Sequence, residues 1–413
     1  MCSIHLSSVR MSALLGTAIL ACSGLGKATA GQQNGAHPGP KQKPAAKQVA
    51  LLSGRRKQAP KPQAETTKTK IGDVTIADFT TSEGVIGSRE VRFLGQFTEI
   101  EVPDKASNSV LRIHADDIHG TRVGPTDLGS ITLSGNVQYR LVQQTGGSER
   151  VLEGTAGHAE LRRGEHHMEF TGGVRAKLTD AARFGSPATL HTGSLTVAMA
   201  AKPFHYSLDG DPTNNDIQFT PLQTSAPKTG AKTGTVTPLG RIHAFGFRSG
   251  DLQFGQAMHL QGAETTCEFA SPDDLTSWRL QGEQFEGEFV PKKSDLQRAT
   301  VTQNVRFHIT QPSADKKAKT TADGTSSQAS YVRSEAGQEL IAHGPLKIDF
   351  TDPERSDEPL VYNGGRSAVL SVKKVGSSLS YSLIDLNNNQ KVRVTPKPFD
   401  AGEPKPPTLP KPK

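Results

Sequence analysis

Apolar and polar residues alternate along this chain in run after run, and the runs repeat. Ile131-Thr-Leu133-Ser-Gly135-Asn-Val137-Gln-Tyr139-Arg-Leu141 superimposes without gaps on Met168-Glu-Phe170-Thr-Gly172-Gly-Val174-Arg-Ala176-Lys-Leu178. Two further copies carry the same phase, Ala299 to Ile309 with Val301, Val305 and Phe307, and Leu340 to Phe350 with Gly344, Leu346 and Ile348. A shorter copy starts at Val91 with Phe93, Gly95 and Phe97. Another starts at Met258 and reaches Gly262, after which the apolar parity slips by one to Ala263, Cys267 and Phe269, as a β-bulge would cause. Weak copies begin at Tyr206 and Tyr381. The starts at 91, 131, 168, 206, 258, 299, 340 and 381 fall close to 40 residues apart, except for one long step containing Thr220 to Gly240, a Thr/Pro/Gly/Lys-rich stretch read as a loop. A fixed period of this kind is the signature of a repeat architecture.

Strict alternation over short runs predicts half-buried strands. Polar turn clusters such as Thr145-Gly-Gly-Ser148 and Arg162-Arg-Gly-Glu165 separate them. A second alternating run lies between successive motifs, as in Val151 to Leu161, so each unit is an out-and-back hairpin. No window offers an amphipathic helix. The glycine at the fifth motif position (Gly95, Gly135, Gly172, Gly262, Gly344) weakens the middle of a strand, and its recurrence predicts a bend in every such strand. Stacked bends make an all-β fold, an antiparallel sheet folded along its length into a V-shaped trough. The inward set is Phe93, Phe97, Ile131, Leu133, Val137, Tyr139, Met168, Phe170, Val174, Val301, Val305, Phe307, Leu346, Ile348 and Phe350. These residues either line a groove for a ligand or fill a dry sandwich core. Few aromatics and many Val, Ala and Gly leave space, which leans toward a ligand.

Composition narrows the class. The 413 residues suit two or three ordinary domains or one long repeat protein. Apolar residues are 34% and aromatics 5%, so a packed core is thin and a bulky α/β enzyme core is not expected. The net charge of +7 is concentrated outside the repeats: residues 31–70 carry +8, whereas residues 71–395 carry −5. A nucleic-acid face built into the fold is therefore not expected.

The N-terminus carries Arg10, an apolar run from Met11 to Cys22, and then Ala28-Thr-Ala30. This predicts a signal peptide over residues 1–30, cleaved after Ala30, and an exported, periplasmic protein. Two alternatives stay open, lipidation at Cys22 after the Ile19-Leu20-Ala21 box and retention as an uncleaved anchor. After cleavage only Cys267 remains, which excludes an internal disulfide. Residues 31–70 and 396–413 read as disordered Pro/Lys-rich tails. The basic linker is either a spacer or a contact with acidic membrane head groups.

The search for chemistry returns little. Neighbouring His166 and His167 on a strand point to opposite faces and lack a third ligand at metal spacing, so they read as a turn flank. Asp209 to Asp216 has the carboxylate density of a calcium loop but lacks its twelfth-position Glu, and reads as a turn. Nucleophile elbow, phosphate loop and Cys-x-x-Cys motifs are missing. Glu283 and Glu286 are a carboxylate pair with no further support, and Cys267 reads as a buried small residue. The expectation is a non-enzymatic protein with no cofactor and no metal.

The motif at Ile131 to Tyr139, its partner at Met168 to Val174 and the preceding Gly154-x-Ala156-x-x-Ala159-Glu160-Leu161 resemble the OstA/LptA family of periplasmic lipopolysaccharide-transport proteins, to which LptC and the soluble domain of LptD are related. The likeness is clearest over residues 115–180 and 245–350. It implies an open β-jellyroll that holds the acyl chains of lipopolysaccharide or a related glycolipid. It also implies other lipopolysaccharide-transport proteins as partners, joined through edge strands, and a role in outer-membrane biogenesis. The chain departs from the usual members by its greater length and its basic linker. The first departure lets one long trough stand in for several short copies; the second leaves open a tethered or a free protein. The competing class is an extended β-repeat scaffold with a dry core.

Overall fold

A computed structural model describes residues 67–394 apart from short internal segments, the longest being 224–238. The segment expected to be a signal peptide, Cys22, nearly all of the basic linker and the C-terminal tail lie outside the described residues. The repeats belong to the compact unit Ala64–Lys413.

This unit is all-β, a single antiparallel sheet that follows the chain. It opens with β1 (Lys68–Ile71), β2 (Val74–Ala77) and β3 (Thr81–Gly84). Six long strands follow, β4 (Glu90–Asp104), β5 (Ser109–Arg122), β6 (Leu128–Thr145), β7 (Ser148–Arg162), β8 (His167–Asp180) and β9 (Phe184–Ala198). The centre holds β10 (His205–Asp209), β11 (Asp216–Pro221), β12 (Arg241–Phe245) and β13 (Ser249–Gln253). Four more long strands are β14 (Ala257–Ala270), β15 (Ser277–Phe289), β16 (Leu296–Pro312) and β17 (Lys319–Ser334). The series closes with β18 (Gly337–Gly344), β19 (Lys347–Thr351), β20 (Leu360–Asn363), β21 (Ala368–Val375), β22 (Ser378–Asp385) and β23 (Gln390–Val394). Several short pairs each occupy the place of one long strand: β10 and β11 both pair with β9, β12 and β13 both with β14, and β18 and β19 both with β17.

Each long strand is interrupted near its middle, where the register with its neighbour shifts. The shifts fall at Leu94/Thr98, Ser134/Val137, Thr171/Val174, Gln261/Thr265 and Thr302/Val305. Gly135 and Gly172 take φ of +77° and +83°, a conformation that side-chain-bearing residues rarely adopt. A Cβ on Gly172 would also lie 3.1 Å from the Gly157 backbone of the neighbouring bend. The equivalent place in β16 has no glycine; Gln303 and Asn304 take φ of +66° and +53° instead. Side chains stitch the bends together, with Asn136 Nδ2 donating to Asp116 Oδ2 at 2.7 Å and Asn304 Nδ2 donating to Glu283 Oε1 at 2.5 Å.

The bends divide the sheet into two walls. One wall contains the first halves of β4, β6, β8, β14 and β16, with the second halves of β5, β7, β9, β15 and β17; the other wall contains the complementary halves. Aromatic rings show how the walls meet. Tyr139, after the bend of β6, stacks on Phe170, before the bend of β8, with centroids 3.9 Å apart and planes 22° from parallel. Phe269 in the second half of β14 meets Phe285 and Tyr331 of the opposite wall at 6.3 and 5.0 Å. Trp278 meets Tyr331 at 5.4 Å and donates its indole N–H to Gln338 Oε1 at 2.9 Å. Such pairs contribute about 0.5–1.5 kcal/mol each beyond the area they bury.

The alternation in the sequence explains both faces. Inward positions form one continuous apolar cluster from Ile71 to Val372. Outward positions carry cross-strand polar pairs, such as Arg279 Nε to Glu268 Oε1 at 3.3 Å and His308 Nδ1 to Asp323 Oδ1 at 2.6 Å. Exposed pairs like these contribute about 0.2–1 kcal/mol, so burial of the inward face carries the stability.

Candidate functional site: the interior between the walls

Fourteen of the fifteen residues assigned inward are buried, from Phe170 and Val301 at 0% exposure to Phe350 at 7%. Together they fill the space between the walls. Leu346 is buried although it lies in the break between β18 and β19 rather than within a strand.

Phe97 is the correction. It is 52% exposed with φ of +60°, and Thr98 takes the inward place at 0% exposure. In β6 the inward positions step from Leu133 to Val137 across the bend, whereas in β4 they step from Phe93 to Thr98. The extra residue in the β4 bend reverses the parity, so Phe97 turns outward. The copy in β14 behaves the same way, stepping from Leu260 to Thr265, which leaves Ala263 exposed while Cys267 and Phe269 are buried. In both longer bends the threonine hydroxyl donates back to the glycine carbonyl, Thr98 to Gly95 at 3.1 Å and Thr265 to Gly262 at 2.9 Å. The shared Gly-x-x-Thr spacing was the available sequence signal. Gly95 and Gly262 are there for close approach: a Cβ would lie 2.9 Å from Thr80 N in the first case and 2.7 Å from Arg248 N in the second.

The other candidates are structural. His166, at φ of +51°, closes the short helical turn Arg163–Glu165 and places Nδ1 3.2 Å from Asp104 Oδ2. Asp211 caps its turn by accepting from the Thr213 backbone N–H and hydroxyl, and Asn215 donates to the Phe247 and Arg248 carbonyls. Cys267 is fully buried, and burial holds its thiol well above the ordinary value.

At the margin opposite the bends, where the strand-to-strand turns of the two walls face each other, side chains make the links. Arg163 of one wall bonds to Asp73 of the other at 2.6 Å. His166 reaches Asp104 across the same gap, beside a cleft that also holds Lys105, Leu111 and Met199. Arg183 donates to the Phe254 carbonyl, and Asp295 accepts from Leu239 N–H at 3.1 Å and from Arg333. The Asp104 carboxyl is held below its ordinary 3.8: burial opposes this, but hydrogen bonds from the Ser107 hydroxyl, Ala106 N–H and His166 prevail.

Two features of the interior went unread in the sequence, although Tyr139 itself was assigned inward. The first is a group of phenols: the Tyr139, Tyr206 and Tyr331 hydroxyls are buried in the apolar interior and make no hydrogen bond. Burial raises all three, Tyr206 to about 12. A buried unpartnered hydroxyl costs about 1–3 kcal/mol. The second is a buried charge cluster of Arg150, Asp180 and Arg183, with Arg150 7% and Asp180 3% exposed. Its signal was in the alternation, since Arg150 shares the parity of Leu152 and Asp180 that of Leu178.

On the outer side, a cavity of about 630 Å³ beside the bends is lined by polar groups including Gln303, Asn304, Arg306 and Ser327.

Among the described residues, no helix is long and apolar enough to cross a membrane, which says nothing of membrane β-barrels. No group of three or more metal-ligating side chains is found among them. The chain matches no family model, no curated protein and no solved structure. The residues and their geometry therefore carry the functional argument.

Proposed function

We propose that this chain is an exported, periplasmic carrier that shelters the acyl chains of lipopolysaccharide or a similar glycolipid between its two walls on the way to the outer membrane. One observation carries the reading. Among the described residues the walls are continuous in backbone only through the bends, and the links found at the opposite margin are side-chain contacts. The interior can thus open at that margin without breaking a strand ladder. An acyl chain gains about 0.8 kcal/mol per methylene buried, which offsets the separation of the packed rings. The resemblance of the repeated motif to the lipopolysaccharide-transport family supports the same reading. The outermost strands β1 and β23 each have a free edge for strand addition to other transport proteins among the described pairings. The basic linker supplies a membrane-surface contact.

The cross-wall ring contacts favour a second reading, an extended β-repeat scaffold whose dry core holds no ligand. Mass spectrometry of lipid extracted from the full chain, purified from its own envelope, separates the two. The carrier reading expects a glycolipid at near-stoichiometric yield, cross-linked by a photoreactive phenylalanine analogue placed at Phe170. A folded protein that carries no lipid and yields no cross-link overturns it in favour of the scaffold.

A further inference from the structure

The Arg150 cluster is more than a structural ion pair. Arg150 Nε donates to Asp180 Oδ2 at 3.0 Å, and its Nη1 donates to Gln143 Oε1 at 3.1 Å. Arg183 Nε lies 3.4 Å from the same Asp180 oxygen, while Asp180 Oδ1 also accepts from Ala182 N–H at 3.1 Å. Two guanidiniums therefore share one carboxylate that is already bonded elsewhere. Burying a charge without a partner is costly, and an excess cation in an apolar setting marks a place for an anion.

The surroundings are built to match. Arg150 and Arg183 sit at the margin of one wall. Facing them from the other are Phe204, with the Arg150 guanidinium 5.9 Å from its ring centre, Phe254, whose carbonyl accepts from Arg183, and Tyr206, whose ring lies 6.0 Å from that of Phe254. Tyr206 is 2% exposed, and its unpartnered hydroxyl lies within the field of Arg150, Asp180 and Arg183. Gly255 leaves room for the second cation, since a Cβ there would lie 2.7 Å from Arg183 Nη1. Burial, then the neighbouring Arg150 charge, lowers the Arg183 guanidinium from its ordinary value, the direction expected where cations outnumber anions. The Arg183 side chain is 15% exposed, so the cluster reaches solvent through it.

We propose that Arg150, Arg183 and the Tyr206 hydroxyl form the seat for the phosphate group of an amphiphile whose chain enters the interior between the walls. This rests on the carrier reading and adds a chemical preference to it: phosphorylated amphiphiles over neutral ones. The cations hold the phosphate oxygens through charge-assisted hydrogen bonds, and the phenol donates a third. Arg183 exchanges the Phe254 carbonyl for the phosphate as the margin opens.

The test is calorimetric titration of the delipidated full chain with dodecyl phosphate and dodecyl maltoside, both below their micelle concentrations, and with inorganic phosphate. One charge-assisted hydrogen bond corresponds to roughly tenfold or more in affinity. Dodecyl phosphate should bind at least about tenfold more tightly than dodecyl maltoside. That ratio should fall toward one in Arg183→Gln and in Tyr206→Phe. The second variant keeps the ring and loses only an unpartnered hydroxyl, so a merely structural tyrosine would give a more stable protein with the ratio intact. A wild-type ratio near one, or a ratio unchanged in both variants, overturns the phosphate seat while leaving the carrier standing. Failure of both amphiphiles to bind removes the carrier reading and the seat with it. Inorganic phosphate binding as tightly as dodecyl phosphate overturns the amphiphile assignment in favour of a free anion.

Discussion

Whether the walls meet in solution is decided at Tyr139 and Phe170. The two rings come from opposite walls and stack at 3.9 Å, with Tyr139 3% and Phe170 0% exposed. Truncating a fully buried aromatic to alanine costs about 3–5 kcal/mol, the lost transfer energy plus the cavity. Each of Tyr139→Ala and Phe170→Ala should cost about that much. The stack itself should appear as coupling of about 0.5–1.5 kcal/mol in the double-mutant cycle. Gly154 shows how closely the tyrosine is held, since a Cβ there would lie 2.6 Å from its hydroxyl oxygen. Tyr139→Phe supplies an opposite sign: it removes an unpartnered buried hydroxyl and should raise stability by about 1 kcal/mol. The assay is urea unfolding of the lipid-free full chain, followed by far-UV circular dichroism and by fluorescence of Trp278, the only tryptophan. Walls that part in solution would leave both rings facing water. Truncations within about 0.5 kcal/mol of wild type, or strictly additive ones, would refute the closed interior.

Two further predictions concern the bends and the margin. Gln303 holds φ of +66° at the motif position where Gly135, Gly172 and Gly344 also have positive φ, so Gln303→Gly should raise the thermal midpoint, by about 1 kcal/mol of stability; a fall would show that the side chain makes a contact worth more than the strain. Asp104 titrates below its ordinary 3.8 in the folded chain, so its contribution is present above that value and lost as pH falls through the lower folded one. Asp104→Asn should flatten the acid limb of the stability curve below about pH 4, and an unchanged limb would remove the carboxylate from the margin's energetics.

The repeat was legible because its signals are local. Motif starts at Val91, Met168, Tyr206 and Met258 each lie one residue inside β4, β8, β10 and β14. Even the faint copy at Tyr206 marks a strand, interrupted at its bend by Asp211 to Asn215. Alternation states which residues share a face and says nothing about what that face touches. Tyr139 and Phe170 were assigned inward from periodicity, but their stacking depends on how far two walls approach, which no single strand encodes. The residue count in each bend was equally hidden. One additional residue turned Phe97 out and Thr98 in, and only the Gly-x-x-Thr spacing shared with Gly262 and Thr265 distinguishes that bend from its neighbours. Arg150 and Asp180 were readable, since charged residues at core-facing parity announce either a buried pair or a site.

The distribution of rings along the interior gives a guest a direction. Phe184, Phe219, Phe254 and Phe289 form a cross-wall cluster at the centre, with Phe184 and Phe219 4.9 and 5.3 Å from Phe254. Parting the walls there separates several ring pairs at once. Toward β4 the interior is mainly aliphatic, with Ile100, Ile113, Val137, Leu141 and Leu152 in the same apolar cluster as two ring pairs, Tyr139–Phe170 and Phe79–Phe93. In a repeat fold each unit contacts its neighbours alone, so on the carrier reading the walls would open unit by unit rather than as a whole. Aliphatic side chains yield to an acyl chain with little loss, because one set of methylene contacts replaces another. The Arg150 cluster stands at the boundary between the two regions. On the carrier reading, a head group held there would place its chain toward β6 and β4, through the aliphatic part of the interior.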